Sequence, residues 1–418
     1  MSTATKALQA ARFLGGMYRE RALALYWAHV RGDLFSRLNL PNGHTDPYEI
    51  YAEMRARGPM LPTRLGNYST TSHRLCNEVL RSRKFGVSQE DGSDDLGSQA
   101  GLDLSLLELN PPDHTRIRRL AAPAFTPRRM ADYAGLVDHA IDRLLDECER
   151  QQEFDLMSSF ASPLPIAVVT HLLGLPNDPE RFRRLGSTIS RALDGIWSLG
   201  QARILAAADA ELRSIFSQLL EERAAEPGDD LVSALVAEQG RAITPSELAA
   251  LVRLLLVAGF ETTVNAIGNG MHWLLADREQ WERLVADPSR AAAVTEEVLR
   301  FEPPVQLTAR VANEPVELGG VALETNQWVL TLLAAANRDP EVYPEPDRFD
   351  IMRESPAEHL AFSGGIHYCL GSPLARLELT RAFRALAERF PKIRQTGPIT
   401  MPPGTTLRGP LRFPMAVS

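Results

Sequence analysis

The sequence predicts a mainly α-helical fold with small β-sheets, built as one large domain behind a helical extension. Three observations carry that expectation. From Pro112 onward the pattern is helical, interrupted only at Pro123, Pro127, Pro163–Pro165, Pro176–Pro179, Pro227–Gly228 and Pro245, which are short connections between helices and not interdomain linkers. Segments rich in β-formers are confined to Val305–Val329 and the C-terminal RGPLRFPMAV. The 418 residues are 44% apolar and 23% charged, the balance of a globular chain with a large core.

Residues 1–45 form the extension, helical in composition and leaning basic, with Lys6, Arg12, Arg19, Arg21 and Arg31 against Glu20 and Asp33. A transit peptide or an interfacial helix has this composition too; the expectation is a helix docked on its own domain. Residues 46–418 are the main domain. Asp46 and Pro47 open its first helix as N-cap and first helical residue. Gly86–Gly101 (GVSQEDGSDDLGSQAG) reads as a long loop of the functional kind. VELGGVALETNQWVL reads as a hairpin, with Asn326 suited to a left-handed turn. The longest candidate apolar run, Trp328–Ala336, is half what a bilayer span needs, so no transmembrane segment is expected.

A formal net charge of −8 argues against nucleic acid as a partner. Three cysteines, Cys76, Cys148 and Cys369, show no C-x-x-C spacing. That excludes a disulfide framework or zinc ribbon and indicates a reducing compartment, the cytoplasm.

Cys369 stands in FSGGIHYCLG, among glycines and just before the amphipathic SPLARLELTRAFRALAERF. Unsatisfied N–H groups at a helix start favour an anion and bias such a cysteine toward thiolate. Gly364, Gly365 and Gly371 are expected to let backbone approach a flat ligand. In LLLVAGFETTVNAIGNG, Ala258 and Thr262 are four apart and share a helix face, with Gly259 making room beside them. Glu261 next to Thr262 pairs an acid with an alcohol, which can relay protons; alone, the pair also reads as a polar patch in a buried helix. Glu297 and Arg300 have the spacing of an ordinary helical ion pair. His114 and Arg118 share one face at a helix start and suit a carboxylate.

Phe362, Gly365, His367, Cys369 and Gly371 resemble the haem-ligand loop of the cytochrome P-450 superfamily. The likeness extends over roughly Asp46 to Val417 through the other motifs in order. It implies that Cys369 ligates the iron of haem b (iron protoporphyrin IX), that Phe362 packs beside it, and that Ala258 lies over the haem. His114, Arg118, Arg310 and His367 would meet the propionates. Thr262 matches the residue that holds oxygen and Glu261 the acid that brings protons from solvent, while Glu297, Arg300 and Arg348 match a structural triad. One departure is Ser363, where the family usually has glycine.

The resemblance implies a haem-thiolate monooxygenase that inserts one oxygen of O2 into an apolar small molecule. Electrons would come from a separate ferredoxin or flavodoxin and its reductase, because no flavin or iron–sulfur module is evident. Arg376, Arg381 and Arg384 are candidates for docking an acidic carrier. Leu102, Leu106, Leu107, Trp197, Leu255, Val305, Leu307 and Thr406 are candidate pocket residues and indicate only apolarity. The alternatives are a peroxide-driven peroxygenase, which would not need the acid–alcohol pair, and a non-catalytic haem protein. A zinc site lacks a second ligand pair.

Overall fold

A computed structural model of the chain describes residues 3–40, 46–64, 66–89, 105–176, 178–190, 193, 195–196, 198–354, 357–402 and 406–417. The helices are α1 (Thr3–His29), α2 (Leu34–Leu38), α3 (Pro47–Arg57), α4 (His73–Arg81), α5 (Asp113–Ala121), α6 (Pro127–Gln151), α7 (Pro163–Leu173) and α8 (Pro179–Ser190). They continue with α9 (Leu199–Ala225), α10 (Leu231–Val236), α11 (Pro245–Ala276), α12 (Arg278–Ala286), α13 (Ala291–Phe301), α14 (Leu333–Ala336) and α15 (Ser372–Arg389).

The strands are few and short: β1 (Leu61–Pro62), β2 (Tyr68–Thr70), β3 (Phe85–Gly86), β4 (Glu153–Asp155), β5 (Thr308–Ala312), β6 (Val316–Leu318), β7 (Val321–Leu323), β8 (Trp328–Thr331), β9 (Arg394–Gln395) and β10 (Pro414–Ala416). A five-stranded sheet runs β1-β2-β8-β5-β3, antiparallel except for β2 with β8. It joins segments more than two hundred positions apart, which short-range pattern cannot foresee. Asn326 adopts φ +67° beside β8, the left-handed turn expected of it. The apolar run Trp328–Ala336 divides into β8 and α14, both buried.

The extension packs against the start of the main domain. Leu34 and Leu38 bury against Ile50, Tyr51 and Met54, Glu20 pairs with Arg64 at 3.3 Å, and Arg37 with Glu53 at 2.9 Å, while Ala24 and Ala28 bury against Leu40 within the extension. At α3, the Asp46 carboxylate accepts the Tyr48 N–H at 2.9 Å with Pro47 at the first helical position.

α11 is the axis of the fold. A capping box starts it: the Thr244 hydroxyl accepts the Glu247 N–H, and the Glu247 carboxylate accepts the Thr244 N–H at 2.8 Å. Leu248, Leu251, Val252, Leu256, Phe260, Ile267 and Met271 bury in the main core against α7, α8, α9, α13 and α15. By length and composition it is the one helix among the described residues that could cross a membrane, but its apolar surface is core. Its glycines set how tightly it is held, two of them against neighbouring helices. A Cβ on Gly259 would lie 2.9 Å from Val169 Cγ2 of α7, and one on Gly270 would lie 2.3 Å from Phe383 Cζ of α15. Cys76 and Cys148 are fully buried packing residues.

Candidate active site

The cysteine loop is closed on itself before it meets α15. The Cys369 N–H donates to the Phe362 carbonyl at 2.9 Å, and the Ser372 N–H that opens α15 donates to the Cys369 carbonyl at 3.4 Å. Gly365 has φ +63°, and a Cβ there would lie 2.4 Å from the Leu80 carbonyl oxygen of α4. Gly364 is closed off likewise by Leu80 and Arg81, while Gly371 faces open space. Gly364 and Gly365 therefore seat the loop on α4 instead of making room for a ligand, a correction to their expected role.

Cys369 is accessible to solvent although protein surrounds it, so it faces a recess inside the fold. Burial raises its thiol pKa. The amides of Gly371 and Ser372, with Arg118 and Arg376, work in the opposite direction and do not prevail. The expected thiolate bias is thus reversed in the protein alone. A cation bound at the sulfur would complete the set of groups already favouring the anion.

Beside the cysteine, four basic side chains converge from three elements. The rings of His114 (α5) and His367 (the loop) stand 4.2 Å apart. Neither ring nitrogen of His114, which is buried, nor Nε2 of His367 has a hydrogen-bond partner. Burial, then Arg118 and Arg310, holds the His114 pKa below its ordinary value. Burial, then Arg310, His114 and Arg118, pushes that of His367 down to about 3. Arg310, on β5 and 5% exposed, has no carboxylate within ion-pair distance among the described residues, and burial lowers its pKa to about 10. Arg118 Nη2 donates to the Tyr368 carbonyl at 2.7 Å. Orphaned buried imidazoles beside unpaired buried guanidinium call for an anion. A carboxylate-bearing macrocycle whose metal takes the Cys369 sulfur fits both needs together, so the residues present suit haem.

Other candidate residues lie on α11. Thr262 Oγ1 donates to the Ala258 carbonyl at 3.1 Å, placing both on one face, and Ala258 is exposed although its helix is otherwise core. Glu261 lies near enough to Arg183 of α8 to reinforce its positive charge. Gly259, expected to make room on this face, instead admits Val169 of α7. Leu255 is half-buried, Leu106 buried and Leu107 exposed. The Val305 segment meets the C-terminal segment through a β-bridge to Leu407 and the Gln306 N–H donating to the Thr406 carbonyl at 2.9 Å. Val305 packs against Cys76, Leu80 and Leu360, whereas Leu307 packs against the cluster of Leu34, Leu38 and Tyr51. Leu102 and Trp197 lie outside the described residues, as does most of the loop after Gly86.

Support comes from a buried ion pair. Arg300 bonds Glu297 through Nε and Nη2 at 2.7 and 2.8 Å. The predicted third partner, Arg348, contributes only its carbonyl, at 3.1 Å from Arg300 Nη2; its side chain is exposed beside Glu345 and Asp350. Arg353 is the guanidinium that reaches Glu297, at 3.3 Å and 10% exposed. The three candidate docking cations are engaged within the chain: Arg376 with Glu296, Arg381 with Asp138 and Arg384 with Glu388. Arg376 also lies over the Phe362 ring, 4.6 Å from its centroid, and bonds the Tyr368 hydroxyl.

Sequence reasoning missed Glu378 of α15. It is 1% exposed, neither carboxylate oxygen has a partner of good geometry, and the Thr263 hydroxyl of α11 offsets only part of the desolvation. Its pKa rises to about 8. The folded state therefore keeps a proton that the unfolded chain releases above the ordinary value of 4.5. Stability is full below that value and declines as pH rises through 8. Relative to Glu378→Gln, the wild type should lose about 2–4 kcal/mol across this window in urea denaturation, and parallel pH profiles would refute it.

Comparison with known proteins agrees with this geometry. The family profile described as Cytochrome P450 matches residues 291–409, from α13 through the cysteine loop and α15. The chain is 38% identical over 384 residues to the cytochrome P450 monooxygenase PikC of Streptomyces venezuelae, covering 88% of this chain and 91% of that protein. It is 37% identical over 372 residues to the 6-deoxyerythronolide B hydroxylase of Saccharopolyspora erythraea, covering 84% and 90%. Among solved structures, ligand-free CYP164A2 of Mycobacterium smegmatis superposes with a TM-score of 0.83 at 39% identity, covering 92% of this chain and 99% of that one.

Proposed function

From the premise that this chain belongs to the cytochrome P450 family and is a haem-iron monooxygenase of that type, we propose that it inserts one oxygen atom of O2 into an apolar small molecule. The observation that carries this is the convergence of His114, His367, Arg118 and Arg310 beside Cys369.

Cys369 Sγ would hold the iron, and the four basic side chains the propionates. The absence of a cysteine pair for covalent attachment supports haem b. When bound, the haem supplies dioxygen activation and oxygen insertion. The chain's own contribution is positional and protonic. Thr262 Oγ1, now donating to the Ala258 carbonyl, can turn that proton toward the recess. Glu261, whose charge reaches Arg183 of α8, can reload it from that side. Leu106, Leu255 and Val305 offer apolar surface to a substrate. Electrons come from a separate ferredoxin or flavodoxin with its reductase, and the three unpaired cysteines support a cytoplasmic site.

The test is reconstitution with haem, a surrogate ferredoxin and reductase, and labelled O2, using a substrate found by its spin-state shift. One labelled oxygen per product is expected. Thr262→Ala should lower product per electron at least about tenfold while O2 consumption continues. Full turnover with hydrogen peroxide, indifferent to Thr262→Ala, would instead establish the peroxygenase reading.

A further inference from the structure

Ser363 is the residue of the cysteine loop that departs from the usual glycine, and its backbone keeps the conformation glycine would have adopted, with φ +61°. A left-handed conformation is costly for a residue with a Cβ and persists where surrounding contacts fix it. Here two do. The Ser363 N–H donates to the Leu360 carbonyl at 2.9 Å, and the Ser363 hydroxyl oxygen accepts from Arg310 Nη2 at 3.2 Å.

The second contact matters because of what else Arg310 touches. Its Nη1 is spent within its own strand, on Thr308 Oγ1 at 3.0 Å and the Ala309 carbonyl at 2.8 Å. The bond to Ser363 is the one that ties this guanidinium to the loop carrying Cys369. That loop is closed one residue earlier, where Phe362 accepts the Cys369 N–H. Displacing Ser363 therefore moves the arginine relative to the cysteine, and the strain at Ser363 is held in place by the same bond.

We propose that Ser363 is a positioning residue: its hydroxyl fixes the buried Arg310 guanidinium relative to Cys369, and so governs how firmly the carboxylates of the cofactor are held. This rests on the haem reading of the recess.

Ser363→Ala keeps the strained φ and removes the hydroxyl; Ser363→Gly removes both. Haem transfer from the loaded protein to excess apomyoglobin should be roughly tenfold faster in both variants, the worth of one hydrogen bond to a charged group. The haem midpoint potential should shift in the same direction in both. In an Arg310→Gln background, Ser363→Ala should no longer change the transfer rate. Wild-type transfer rate and potential in both variants would overturn the proposal, and so would an equal effect of Ser363→Ala with and without Arg310. Failure of the wild-type protein to take up haem would instead overturn the reading of the site itself.

Discussion

Cys369→Ala should remove the red-shifted Soret band of the reduced, carbon monoxide-treated protein and lower product formation by about 10³-fold or more. The residue lies in a recess with its side chain accessible, so truncation leaves no cavity in the packed core. Its loop is closed by backbone bonds, Cys369 N–H to Phe362 and Ser372 N–H to Cys369, which alanine preserves. The far-ultraviolet dichroism of the variant should therefore match the wild type. Persistence of the thiolate band would sink the assignment, since Cys76 and Cys148 are fully buried in the core and cannot substitute.

Arg300→Ala should have the largest effect on stability. Arg300 is 1% exposed; besides both oxygens of Glu297 it satisfies the carbonyls of Asn337, Pro346 and Arg348 at 3.0–3.1 Å. Removing one partner of a buried ion pair costs about 3–5 kcal/mol, and stranding the buried Asn337 carbonyl adds about 1–3. That approaches the whole stability of a typical domain, about 5–15 kcal/mol. The variant should accumulate as insoluble or haem-free protein. Arg300→Lys keeps the charge but cannot reach two carboxylate oxygens and three carbonyls at once, so it should be intermediate in urea denaturation. A wild-type urea midpoint for Arg300→Ala would show that the network contributes nothing.

The parts of the site that are legible from sequence are those carried by one contiguous segment. The Cys369 loop ahead of α15, the Ala258–Thr262 face of α11, the Asp46 cap and the turn at Asn326 each depend on neighbours within a few positions. The features that sequence misplaces depend on packing between segments. Whether Arg348 or Arg353 reaches Glu297 is decided by which side chain the chain turns inward after α14. Sequence assigns the glycines at 259, 364 and 365 to the ligand, but the atoms crowding them belong to α7 and α4. Glu378 does leave a signal, since it sits four residues after Leu374 on the buried face of an otherwise regular amphipathic helix. At Cys369 the favourable amides can be inferred locally, whereas the desolvation that opposes them in the protein alone cannot.

The glycines of α11 divide that helix into two independent inheritances. Val169 at Gly259 and Phe383 at Gly270 lock its depth and rotation, and any side chain there would push it out of its seat. Leu255 is half-buried and Ala258 exposed on the same helix. On the proposed reading, exchanging Leu255 would re-line a wall whose position is set elsewhere and would leave the placement of Thr262 unaltered.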